Sequence, residues 1–219
     1  MPKERLAENA VRIPVEGKTI DGNLAVPRGA RSVVVFAHGS GSSRFSPRNT
    51  RVARAINEAG LATFLIDLLT GDEEVVDVVT AQFRFDIELL ARRLMNTTEW
   101  LTKNVVTKDL TVGYFGASTG AAAALIAAAK RPDDVKAVVS RGGRPDLALK
   151  YLAKVKAPTL LIVGGSDPEV LELNKEALEK LNVEKKLEVV PGATHLFEEP
   201  GTLEEVARLA VDWFLKNLT

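Results

Sequence analysis

Leu110-Thr111-Val112-Gly113-Tyr114-Phe115-Gly116-Ala117-Ser118-Thr119-Gly120, continued by Ala121-Ala122-Ala123-Ala124-Leu125-Ile126-Ala127-Ala128-Ala129, is the stretch whose reading decides the fold. It runs from an apolar strand over 110–115, through a glycine-flanked turn, into an alanine-rich helix. A serine between a buried strand and a buried helix adds nothing to packing. It suits chemistry, because G-x-S-x-G at a strand-to-helix turn is the elbow that holds a nucleophilic serine in a strained conformation with its hydroxyl above the sheet. Gly116 and Gly120 then stand where a Cβ would collide with a neighbouring strand or helix. The plainer alternative is a tight turn with an incidental serine; the strand and helix on either side favour the elbow.

Outward from this turn, strands and helices alternate. Ser32–Ala37 is a continuous β-branched run, as expected of a strand buried on both faces, and it ends in His38-Gly39-Ser40-Gly41-Ser42-Ser43-Arg44. Ser46 caps a helix that opens with Pro47 and stops at Gly60, with Val52, Ala55, Ile56 and Ala59 on one face. A strand at Ala62–Ile66 is followed by an acidic loop, Gly71-Asp72-Glu73-Glu74, and by a helix over about Phe83–Asn104 that buries Ile87, Leu90, Leu94 and Leu101. Beyond the elbow come a strand at Val135–Ser140, a polar loop Arg141–Asp146, a short helix, a strand at Thr159–Val163, a helix from Pro168 and a strand at Leu187–Val190. A final helix opens with the capping box Thr202-Leu203-Glu204-Glu205. Ahead of all this, Val11–Val15 and Thr19–Val26 read as an antiparallel edge turning at Glu16-Gly17 or Asp21-Gly22. The alternation predicts an α/β fold in one domain over 1–219: a mostly parallel sheet covered by helices on both faces, with the ligand site beyond the carboxyl ends of its strands. No repeat, low-complexity tract or linker interrupts it.

Composition narrows the function. The chain has 219 residues, 46% of them hydrophobic, which is enough to bury a core. With 29 basic and 29 acidic residues the formal net charge is zero, so nothing points to nucleic acid or an anionic membrane as an obligatory partner. Cysteine is absent, which excludes disulfides, thiolate metal sites and a cysteine nucleophile. The first residues are charged where a signal peptide needs an apolar run, and a cytoplasmic location is expected.

A serine hydroxyl needs a base. Only His38 and His195 are available, and the order Ser, acid, His along the chain selects His195, in the loop after the last strand. His38 is read as bracing its own turn. The third group must be a carboxylate at the same sheet edge. Asp167, directly after the strand ending at Val163, fits best, although Asp before Pro is also an ordinary helix cap. Asp67 remains an outside candidate; Asp146 comes one strand early, and Glu198 and Glu199 follow the histidine. The backbone N–H groups of Thr119, just after the nucleophile, and of Ser40, in the loop after the third strand, are the expected oxyanion donors. Arg44 and Arg48 in one connection, and Arg141 and Arg144 in another, lie at the same edge and are candidates to bind an anionic substrate, against the alternative that they pair with Asp146 or the acidic loop.

Gly116-Ala117-Ser118-Thr119-Gly120, Asp167-Pro168, His195 and His38-Gly39 together resemble the α/β-hydrolase superfamily, most closely its small dienelactone-hydrolase-like members, over about Val11–Leu218. The resemblance implies an eight-stranded, mostly parallel sheet and hydrolysis of a small ester, thioester or lactone without a cofactor or metal. Dienelactone hydrolases proper use cysteine where Ser118 stands. No stretch is long enough for a cap domain, which points to an open site. Two other readings remain. Gly39-Ser40-Gly41 after a strand hints at nucleotide binding but lacks the third glycine, since Arg44 stands there. Alternatively, the chain is a non-catalytic or engineered member of the superfamily that binds a ligand, or reacts only with activated esters and phosphonates.

Overall fold

The computed structural model describes residues 7–218. Eight strands form one sheet: β1 (Glu8–Val15), β2 (Lys18–Ala25), β3 (Ser32–Ala37), β4 (Ala62–Ile66), β5 (Thr111–Ala117), β6 (Val135–Arg141), β7 (Thr159–Gly164) and β8 (Lys185–Val190). The helices are α1 (Pro47–Glu58), α2 (Gly71–Thr80), α3 (Ile87–Lys103), α4 (Thr119–Lys130), α5 (Leu149–Leu152), α6 (Pro168–Lys180) and α7 (Thr202–Leu218), with a 3-10 turn at Pro145–Ala148 before α5. In space the strands run β1-β2-β4-β3-β5-β6-β7-β8. β2 is antiparallel to both its neighbours, and β3 to β8 are parallel. This is the α/β-hydrolase architecture anticipated from the sequence, with β3 and β5 adjacent at the centre.

The central strands β3, β4 and β5 are buried at nearly every position because they are covered twice. Val33 and Val35 of β3 face one core, shared with α3, α4 and Ala177 of α6, while Val34 and Phe36 face the other, shared with α1 and α7. This is the two-residue alternation of a pleated strand expressed as two separate cores. α4 is buried almost throughout, and its alanines let it lie close against the sheet.

One open reading is settled and others change. The hairpin turns at Glu16-Gly17, both with positive φ as a two-residue turn requires, whereas Asp21-Gly22 lies within β2, where Gly22 makes room for Phe64. The acidic stretch Gly71–Glu74 is the first turn of α2 rather than a loop. Thr70 and Glu73 cap it reciprocally, with the Glu73 carboxylate accepting from the Thr70 N–H at 2.8 Å, and three acidic residues sit at the positive end of the helix dipole. Its hydrophobic pattern is inverted. Asp77 is buried and accepts from Phe83 N–H, Arg84 N–H and Arg84 Nε, while Val75, Val76, Val78 and Val79 are exposed. The next helix therefore begins only at Ile87, with Asp86 as its cap. The capping box expected at Thr202 does not form: the Thr202 hydroxyl donates to the Glu199 carbonyl and the Glu205 N–H goes to Gly201 O. Among the described residues, no helix is long and apolar enough to cross a membrane.

Candidate active site

Ser118 stands between β5 and α4 with φ 50° and ψ −120°. A non-glycine residue in that region is strained by about 1–3 kcal/mol and persists only where its surroundings fix it. Here they do. The Ser118 N–H donates to Arg141 O at 3.2 Å, and its carbonyl accepts from Ala121 N–H and Arg144 N–H, both at 3.1 Å. The flanking glycines work as expected. A Cβ on Gly116 would come within 2.4 Å of Ala121 Cα, and one on Gly120 within 2.4 Å of the Ala37 and His38 carbonyl oxygens. Gly116 lets the helix start tightly after the strand, and Gly120 lets that helix start rest on the end of β3.

His195 follows β8, in a loop pinned at Thr194, whose N–H and hydroxyl both donate to Glu199, and at Phe197, which is buried. Its Nδ1 lies 2.8 Å from Asp167 Oδ2. Asp167 occupies the cap position of α6 in the backbone sense, but its side chain makes no capping hydrogen bond. The carboxylate is turned to the imidazole instead. The competing carboxylates are occupied elsewhere: Asp67 with Arg44, and Asp146 with Arg144.

Ser118 and His195 line one cavity of about 200 Å³, together with Gly39, Ser40, Ser42, Ser46, Arg48, Asn49, Ala117, Arg141 and Leu196. Ser40 N–H, one of the expected oxyanion donors, points at the other donor residue and gives its hydrogen to Thr119 Oγ1 at 2.9 Å. The four arginines separate into two kinds. Arg44 pairs with Asp67 and, at 3.6 Å, with Asp21, and Arg144 holds Asp146 through two bonds of 2.9 and 2.8 Å; neither lines the cavity. A nearby carboxylate already satisfies each of these two, which fits the pairing alternative rather than a place in the cavity. Arg141 does line the cavity. It is 4% exposed, and among the described residues it reaches only Asn49 Oδ1, at 3.3 Å, and the face of Phe197, at 5.8 Å. Its Nε has no hydrogen-bond partner among the described residues. Burial, with the positive charge of Arg48 second, pulls its guanidinium down to about 10. Arg48 shares the cavity, pairs with Glu198 at 3.1 Å and likewise leaves its Nε without a partner. Ser46 and Asn49, which also line the cavity, escaped the sequence reading because a helix cap and an inward-facing helix residue explain them locally.

Comparison with known proteins shows the family. The dienelactone hydrolase family profile matches residues 20–216, and the chain belongs to that family. A crystal structure of dienelactone hydrolase from Anabaena variabilis is 58% identical, with a TM-score of 0.97 over 99% of this chain and 100% of that one. A Pyrococcus furiosus esterase shares the fold, with a TM-score of 0.77 at 18% identity over 98% of this chain and 94% of that one. A Mycobacterium tuberculosis protein, provisionally named a phosphoribosyl transferase, is 56% identical over 213 residues, which are 97% of this chain and 47% of that protein. The chain thus spans about half the length of the curated relatives it matches.

Proposed function

We propose that this chain is a serine hydrolase that cleaves small carboxylic esters, or related thioesters and lactones, through Ser118, His195 and Asp167. The observation that carries this reading is the Asp167 carboxylate on His195 Nδ1, at 2.8 Å, beside a cavity that also presents Ser118 from a strained elbow. With Nδ1 turned to Asp167, Nε2 is the nitrogen left for the serine. It takes the Ser118 proton as Oγ bonds to the acyl carbon, and Asp167 stabilises the imidazolium that results. The carbonyl electron pair moves onto oxygen, where the Ser40 and Thr119 N–H groups receive it, at the start of a helix whose dipole favours negative charge. Collapse expels the leaving group, which takes the proton from His195. Water then repeats the sequence on the acyl-enzyme and frees Ser118.

The acyl group that the site favours carries a carboxylate. A buried guanidinium without a carboxylate partner is costly in isolation, and a planar anion matches its donor fork. Arg141 is that group in this cavity, with Arg48 beside it. A fluorophosphonate probe tests the core of the reading: it should add once per chain, and Ser118→Ala should abolish the labelling. Equal labelling of the Ala variant would remove the nucleophile assignment. A panel of small esters, thioesters and lactones, each in neutral and carboxylate-bearing form, then defines the substrate.

The name of the mycobacterial relative favours a second reading, phosphoribosyl transfer. We attach that name to the half of the relative that this chain does not match, because a histidine–carboxylate pair beside a strained serine suits acyl transfer. Release of diphosphate from a phosphoribosyl diphosphate by this chain alone would favour the second reading.

A further inference from the structure

His38 is the titratable group at the site that the reaction leaves unused. It is 8% exposed, and both ring nitrogens are engaged: Nδ1 is 2.9 Å from Gly39 O, and Nε2 is 3.2 Å from Leu68 N. A backbone N–H can only donate, so Nε2 accepts and carries no proton; the ring proton is on Nδ1 and is donated to the Gly39 carbonyl. That carbonyl belongs to the same peptide unit as the Ser40 N–H. The described residues contain no cis peptide, and in a planar trans unit C=O and N–H point in opposite directions, so whatever fixes the carbonyl also aims the N–H. Ser42 N–H donates to the same carbonyl at 3.2 Å, which gives the peptide a second, weaker hold. On its other side the Ser40 N–H meets Thr119 Oγ1 at 2.9 Å, so an oxygen already stands at the distance an oxyanion would take. The unit also lies against the elbow, since a Cβ on Gly39 would come 3.2 Å from Ser118 Cβ and 3.3 Å from Ala117 O.

We propose that His38 is a positioning residue for acyl transfer: its Nδ1–H holds the Gly39–Ser40 peptide so that the Ser40 N–H faces the oxygen of the tetrahedral intermediate. This assignment rests on the Ser118 hydrolase reading. A tetrahedral intermediate replaces Thr119 Oγ1 as the acceptor, and the donor needs no reorganisation in the step itself. His38 remains neutral in this role, because burial lowers its pKa against the upward pull of the Gly39 hydrogen bond and of the Asp67 and Glu74 charges.

Two substitutions separate positioning from simple support. Asparagine places an amide N–H where Nδ1–H lies and gives up the acceptor for Leu68; glutamine places an amide oxygen where Nε2 lies and gives up the donor to Gly39. With p-nitrophenyl acetate, His38→Gln should lower kcat about tenfold at near-constant KM, a fraction of the 100- to 1,000-fold that follows loss of a whole oxyanion donor. His38→Asn should keep kcat within about twofold of wild type. The Ser40 amide resonance should shift in the Gln variant and return towards its wild-type position in the Asn variant. Wild-type kcat in the Gln variant, or kcat losses that track the fall in Tm in both variants, would overturn the assignment while fluorophosphonate labelling of the wild type still upheld Ser118. A wild type that does not label would instead remove the Ser118 reading, and this assignment with it.

Discussion

His38 and His195 stand at the same edge of the sheet, and each gives Nδ1 to an oxygen, but their other nitrogens have different fates. His195 meets a carboxylate, its side chain is 37% exposed, and it lines the Ser118 cavity. His38 meets a backbone carbonyl, is buried, and has its Nε2 occupied by the Leu68 N–H. A carboxylate favours the imidazolium that a general base becomes; burial and an N–H donor on Nε2 favour the neutral ring of His38, against the upward pull of the Gly39 carbonyl. One imidazole is thus equipped to move a proton and the other to hold a peptide in place, although both occupy loops that follow parallel strands.

The sharpest way to break this contrast is to remove each imidazole. His195→Ala and Ser118→Ala should each lower kcat by about 10⁴-fold or more, with Tm within a few degrees of wild type, because the members of such a triad act as a unit. A His195→Ala variant that kept most of its activity would transfer the base role elsewhere. Asp167→Asn should follow, with a loss of about 10³- to 10⁴-fold, since an amide cannot stabilise the imidazolium and favours the wrong tautomer. Asp167 makes no side-chain capping bond, so thermal unfolding of the Asn variant should superimpose on that of wild type. A lower Tm with little change in rate would make Asp167 a structural residue.

The arginines extend the contrast from bases to charges. Arg144 has Asp146, whereas among the described residues Arg141 has only an amide oxygen and a ring face. Arg141→Met should remove the preference for a carboxylate-bearing ester over its neutral isostere, a loss of about 10- to 100-fold in the kcat/KM ratio, from the strength of hydrogen bonds to charged groups. Stability should hold or rise, since the substitution buries a methionine in place of a charge without a carboxylate partner. Because Arg141 is buried, the wild-type preference should respond little to added salt. A strong salt dependence would move the anion site to an exposed group.

The sheet, the elbow turn and the nearness of Asp167 to His195 were legible in the sequence because strand hydrophobicity and glycine are local signals and both residues follow neighbouring parallel strands. Three other features were not. In α2 the polar and apolar faces are exchanged, so the acidic start reads as a loop, and the Thr70–Glu73 cap was the usable signal. Arg44 and Arg141 look alike as sequence, and only their distance from a carboxylate separates them. Thr119 was identified for its N–H alone, while its hydroxyl meets Ser40 across 79 positions of chain, a contact that no spacing encodes.

The smallest expected effect concerns His38 and pH. Its pKa in the folded protein is lowered from 6.5, first by burial, against the opposing pull of the Gly39 hydrogen bond and of the Asp67 and Glu74 carboxylates. Asp77 and Arg84 complete the charged surroundings, as a pair within the same crevice. As pH falls through 6.5, the unfolded chain takes up a proton that the folded chain refuses, so the unfolded state binds more protons and stability decreases. The decrease continues down to the folded pKa and then levels, and above 6.5 it vanishes. Protonation in the folded state would place an Nε2–H against the Leu68 N–H, which is the structural form of the same penalty. Between pH 7.5 and 5, wild-type Tm should therefore fall by a few degrees more than that of His38→Asn, in which the titrating group is gone and the other ionisable groups contribute equally to both slopes. Parallel Tm curves would mean that His38 titrates alike in both states and is not held neutral by its surroundings.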